Sequence, residues 1–89
     1  MSKHTPGPWR YQEGSDPYTH IVRAGETGLG RFVVQCGQSR DGIEEANARL
    51  IAAAPEMLLA LYRILPLIQE HEEEVRLVLD AIAKAEGRQ

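Results

Sequence analysis

The stretch MLLALYRILPLI, Met57 to Ile68, carries one charged side chain, Arg63. Met57, Leu58, Leu61, Ile64, Leu65 and Ile68 fall on one helical stripe, while Leu59, Ala60 and Leu67 fall outside it. A helix that is apolar most of the way round needs cover on more than one side. One cover is a sheet. The other is either a further helix of the same chain or a second copy of it.

The residues before this stretch supply the sheet. The chain changes character near residue 41: Gly7, Gly14, Gly25, Gly28, Gly30 and Gly37 lie before it among β-formers, and Ala, Leu and Glu dominate after it. Residues 1–40 read as a β-meander with strands Trp9 to Gln12, Tyr18 to Ala24 and Arg31 to Cys36. EGSDP (Glu13 to Pro17) and GETGLG (Gly25 to Gly30) are the turns. On the third strand Phe32, Val34 and Cys36 alternate with Arg31, Val33 and Gln35, so one face is expected to be apolar throughout. A sheet this small needs a cover to be stable.

Residues 41–89 read as helical. Asp41 is the expected N-cap of a first helix, with Glu44 three residues on as in a capping box. Ile43, Ala46, Leu50 and Ala53 form the stripe expected to face the sheet. Pro55 cannot continue that helix and suits the start of a second. Pro66 ends or kinks the second helix. Glu70 to Glu86 forms a third, with Val75, Val78, Leu79 and Ile82 inward and Gly87 as its stop. The expected fold is α+β, one domain over residues 1–89: a small three-stranded antiparallel sheet packed against two or three C-terminal helices.

A chain of 89 residues is near the lower limit for a self-sufficient core, burying only about two-thirds of its unfolded surface. Three short strands and two other helices are too little to cover Met57, Leu58, Leu61, Ile64, Leu65 and Ile68. A homo-oligomer joined through that stripe is therefore expected.

Charge and cysteine content narrow the partners. Ten Lys and Arg against thirteen Asp and Glu give a net charge of −3, which removes the attraction behind nonspecific nucleic-acid binding. The single Cys36 excludes an intrachain disulfide and suits a reducing compartment. MSKHTPGPWR has no apolar core and does not read as a secretory signal. The apolar tract Leu50 to Ile68 is interrupted by Pro55, Glu56, Arg63 and Pro66, so it reads as buried in protein rather than in a membrane. The expected location is cytoplasmic.

Few residues invite chemistry. Gly25 to Gly30 has the glycine spacing of a phosphate loop but lacks its Lys and Ser/Thr, and it leads into a strand; a hairpin turn is the simpler reading. His4, His20 and His71 are far apart, so no metal site is expected. Cys36 reads as a small core residue, and EHEEE (Glu70 to Glu74) as the favourable negative start of a helix. With no nucleophile–base pair and no ligand cluster, neither catalysis nor a cofactor is expected. Arg23, Arg31 and Arg40 flank the sheet, and with Tyr18 and the glycine-loop amides they form a candidate cradle for a phosphate or a nucleotide base. Asn47 and Arg49, set among alanines, read as structural.

Two strings carry a resemblance. TPGPW (Thr5 to Trp9) and ANARLIAAAPEML (Ala46 to Leu58) resemble a group of small bacteriophage and prophage proteins. Its members open on T-P-G-P-W, continue through a glycine-punctuated β region and end in an alanine-rich helical stretch. The resemblance implies a phage origin and expression inside a bacterial host cell, and it brings no catalytic motif. The leading expectation is a non-enzymatic accessory protein that acts by binding, with a host defence or regulatory protein as partner. The alternatives are an oligomeric sponge that holds a nucleotide second messenger between subunits near Arg23, Arg31 and Arg40, and a virion or assembly component.

Overall fold

A computed structural model of the chain describes residues 4–14, 19–25, 30–38 and 42–88. The elements run β1 (Trp9–Glu13), β2 (Thr19–Ala24), β3 (Phe32–Gln38), α1 (Ile43–Ala52), α2 (Ala54–Ile64) and α3 (Glu72–Ala85), with a 3-10 turn at Leu65–Leu67. The order of strands and helices is the expected α+β arrangement. Tyr18, Arg40, Asp41 and the interiors of both turns lie outside the described residues.

Strand β2 is central in an antiparallel sheet of order β1-β2-β3. Its sequence THIVRA is rich in β-branched residues, which fit a pleated surface flanked on both sides. Thr19, His20, Ile21, Val22 and Ala24 are all buried, and Val22 is 0% exposed. β1 joins β2 in unbroken register, from Trp9 opposite Ala24 to Glu13 opposite His20.

The pairing of β2 with β3 is broken twice, and this corrects the expected apolar face of β3. Val22 opposes Val34, yet Arg23 opposes Phe32, so Val33 is an extra residue. One inserted residue sends the chain on either side of it to opposite faces. Phe32 therefore follows Arg23 and stays 47% exposed, while Val34 follows the buried Val22. A second irregularity sets Ile21 opposite Gln35 but Thr19 opposite Gln38. Gly37 sits in it at φ +93°, a conformation that a side chain resists.

The described chain falls into two compact units. One spans Thr5–Pro55; the other comprises His4 and the residues from Glu56 onward. The composition changes near residue 41, but the units divide after Pro55, because α1 packs on all three strands.

The face that α1 presents to the sheet is not the expected one. Ala48 is 0% exposed, whereas Leu50 is 61% exposed and Ile43, Ala46 and Ala53 are also exposed. A methyl at the closest point lets the helix backbone approach the strands, with Ile51 and Ala52 half-buried beside it. Ile43 and Leu50 are left on the outside. The N-cap is Gly42 at φ 85°, with no side-chain cap hydrogen bond, so the expected capping box is not what starts this helix.

The two strings that suggested a family meet within this unit. A Cβ on Gly7 would lie 2.7 Å from Cβ of Pro55, so the arm and the helix junction are in direct contact. The indole Nε1 of Trp9 donates to the Thr5 carbonyl at 3.1 Å, and Gly25 N donates to the Pro8 carbonyl at 2.8 Å. The Gly7–Pro8 peptide bond is cis.

In the second unit α2 ends at Ile64 and Pro66 lies in the 3-10 turn, as expected of a residue with no N–H to donate. The Tyr62 hydroxyl donates to Glu86 and so ties α2 to the far end of α3. Ile82, one turn before Glu86 on the same face, is 2% exposed. Helix α3 stops at Gly87, where Arg88 N reaches the Ala83 carbonyl at 2.8 Å and Gly87 N reaches Lys84 at 3.2 Å. That pair of bonds satisfies the last carbonyls of the helix. Leu79, expected inward, is exposed.

Candidate functional site

The helical unit leaves an unusual amount of apolar surface uncovered. None of Met57, Leu58, Leu61, Ile64, Leu65 and Ile68 is fully buried: Leu58, Leu61, Leu65 and Ile68 are half-buried, and Met57 and Ile64 are exposed. Leu59, Leu67, Leu77 and Leu79 are exposed as well, Leu67 at 79%. Leu59 and Leu67, which fall outside the stripe read from the sequence, are therefore uncovered together with Met57 and Ile64 from within it. An open groove of about 400 Å³ runs along α3, lined by Gln69, Glu72, Val75, Arg76, Leu79 and Asp80.

Of the expected arginine cradle, Arg23 on β2 and Arg31 immediately before β3 are described. Arg23 lies with its guanidinium carbon 5.5 Å from the Phe32 ring centroid, and its Nη1 donates to the Gly30 carbonyl at 3.3 Å. It is engaged in holding the hairpin. Arg31 is exposed next to Phe32. Tyr18 and Arg40 lie outside the described residues.

A set of residues that sequence reasoning did not assemble lies where α1 meets the sheet. The Tyr11 hydroxyl and His20 Nδ1 are 3.0 Å apart, with their rings stacked at 5.9 Å. Arg49 lies 4.4 Å over the Tyr11 ring and pairs with Glu45 at 3.0 Å. Desolvation, and then the Glu45 and Glu13 carboxylates, raise the Tyr11 hydroxyl above its ordinary 10.0, with Arg49 opposing them. This is a stitch between helix and sheet, and it gives Arg49 the structural role expected of it. Burial, followed by Glu44, raises the Cys36 thiol above 9.0, which lowers its thiolate fraction. Among the described residues no three His, Cys, Asp or Glu side chains are grouped to hold a metal ion.

The Tyr62–Glu86 bond has a pH signature. The hydrogen bond to Glu86 is the main cause that raises Tyr62 above 10.0, and the same bond is the main cause that lowers Glu86 below 4.5. A raised tyrosine contributes stability that is lost as pH climbs through its folded pKa. A lowered carboxylate contributes stability that is lost as pH falls through its own. The link between α2 and α3 is thus firmest between those limits. In an ultraviolet absorbance titration, Tyr62→Phe and Tyr11→Phe are each expected to remove a component that ionises above pH 10.0. A wild-type titration with no such late components would contradict both assignments.

No single described helix is long and apolar enough to cross a membrane. Neither a curated protein nor a solved structure matches the chain. A family model does: the one described as Salmonella phage P22 protein Y8K6 matches residues 1–89. With the whole length matched, the chain belongs to this phage protein family.

Proposed function

We propose that this protein is a phage accessory factor that acts by binding rather than by catalysis, in the host cytoplasm, as a homo-oligomer assembled through its helical unit. The partner is a host protein of defence or regulation, and the outer face of α1 is its dock. The observation that carries the reading is the uncovered apolar surface, which occurs in both units. Met57, Leu59, Ile64 and Leu67 are exposed in the helical unit, and Leu50 is exposed on the side of α1 away from the sheet. Monomeric soluble domains rarely leave contiguous apolar patches beyond a few hundred Å² unless something binds there.

Two substitutions separate the surfaces. Leu67→Asp is expected to reduce the assembly mass in light scattering without loss of helical circular dichroism. Leu50→Asp is expected to leave the mass unchanged and to abolish capture of one stoichiometric host protein by the tagged chain. If no host protein is captured by the wild type, or if Leu50→Asp captures it equally well, the docking role of α1 is lost. A nucleotide sponge has less support, because Arg23 is occupied by Gly30 and Phe32. Its signature is a large thermal shift with a cyclic or phosphorylated nucleotide that Arg31→Ala removes.

A further inference from the structure

Helix α3 carries a charge row that matches itself. Glu72, Arg76, Asp80 and Lys84 recur at every fourth residue with alternating sign. All four are exposed. At this spacing they can pair along their own helix, yet the ion pairs among the described residues are Glu45–Arg49 and Glu86–Arg88. Among the described residues the row has no ionic partner. Glu72, Arg76 and Asp80 line the groove together with Val75 and Leu79, and Leu77 and Leu79, on either side of the row, are exposed at 69% and 48%.

We propose that α3 docks antiparallel on α3 of a second copy, about a twofold axis that passes through the charge row between Arg76 and Asp80. The inference rests on the self-association proposed above and specifies its geometry. In an antiparallel pair, opposed residue numbers have a constant sum. An axis between Arg76 and Asp80 sets Glu72 of one copy against Lys84 of the other, and Arg76 against Asp80, each pair occurring twice. An axis at Arg76 or at Asp80 instead sets like charges against each other, and a parallel pair in register does so at all four positions. A parallel pair shifted by one turn matches signs but is head-to-tail, and it does not close. Only the arrangement centred between Arg76 and Asp80 is both closed and complementary over the whole row. Rows of every fourth residue lie side by side when two helices cross at about −50°, and the groove that the row shares with Val75 and Leu79 is then covered.

Charge segregation tests the register. Arg76→Glu with Lys84→Glu makes the row wholly acidic, and Glu72→Lys with Asp80→Lys makes it wholly basic. Each variant alone is expected to lose the α3 contact and to fall in mass, while keeping its helical circular dichroism. Mixed in equal amounts, with one partner labelled by ¹⁵N, they are expected to form mixed assemblies of wild-type mass. The preference for mixed over like assemblies is expected to be about tenfold, from exposed pairs that each contribute a few-fold. A full swap of all four signs is expected to restore self-association. If both segregated variants keep the wild-type mass, or mix without preference, the register is wrong while the self-association stands. If the wild type itself has the mass of one chain, both fall.

Discussion

Gly30→Ala is expected to lower the melting temperature of the sheet unit by about 10–25 °C, from a loss of roughly 3 kcal/mol. A Cβ built on Gly30 would stand 2.2 Å from the Ala24 carbonyl oxygen and 2.8 Å from its carbon. The obstacle is backbone, so no side chain can rotate away. The strands must part at the point where Ala24 N donates to the Arg31 carbonyl at 2.8 Å. The Arg23 bond to the Gly30 carbonyl is disturbed with it. Trp9 is the only tryptophan and belongs to the sheet unit, so its fluorescence follows this transition separately from the helical signal. A variant that melts within a degree or two of the wild type would show that the hairpin does not close so tightly.

Ala48→Leu is the second large effect, expected to cost about 1–3 kcal/mol and to lower the same transition by about 5–20 °C. Ala48 is 0% exposed beneath α1, and Val22, 0% exposed, belongs to the central strand on which that helix packs. Three further carbon atoms there must lift the helix or strain its neighbours, because close-packed interiors hold few voids. Ala46→Leu, on the exposed side of the same helix, is the control and is expected to change stability by less than about 0.5 kcal/mol. The two substitutions differ only in the face they occupy. Equal effects would mean that the helix is not seated on Ala48.

The contrast between Ala46 and Ala48 also shows where the sequence misleads. Element order was readable: strand propensity before residue 41, helix propensity after it, and Pro55 and Pro66 placed helix breaks correctly to within a few residues. The side of α1 that packs was not readable, because periodicity weighs Ile43 and Leu50 heavily while close approach selects the small Ala48. The apolar face of β3 failed for a related reason. Alternation assumes an unbroken ladder, and the extra residues at Val33 and near Gly37 shift its faces. Tyr11, His20 and Arg49 could not have been grouped from their spacing, since cross-strand register and helix docking bring them together. Within Met57 to Ile68 the exposure is divided in a way the stripe did not foretell: Met57, Leu59, Ile64 and Leu67 are exposed, and Leu58, Leu61, Leu65 and Ile68 are half-buried. The further contribution of Leu77 and Leu79 was not readable either, since Leu79 falls on a stripe that looks inward.

A second copy of the chain as the missing cover is a claim about mass in solution. Light scattering on the wild-type protein, over a range of concentrations, is expected to give a multiple of the 9.9 kDa chain. A value of 9.9 kDa throughout that range would contradict it, and the apolar helices would then stand open in water.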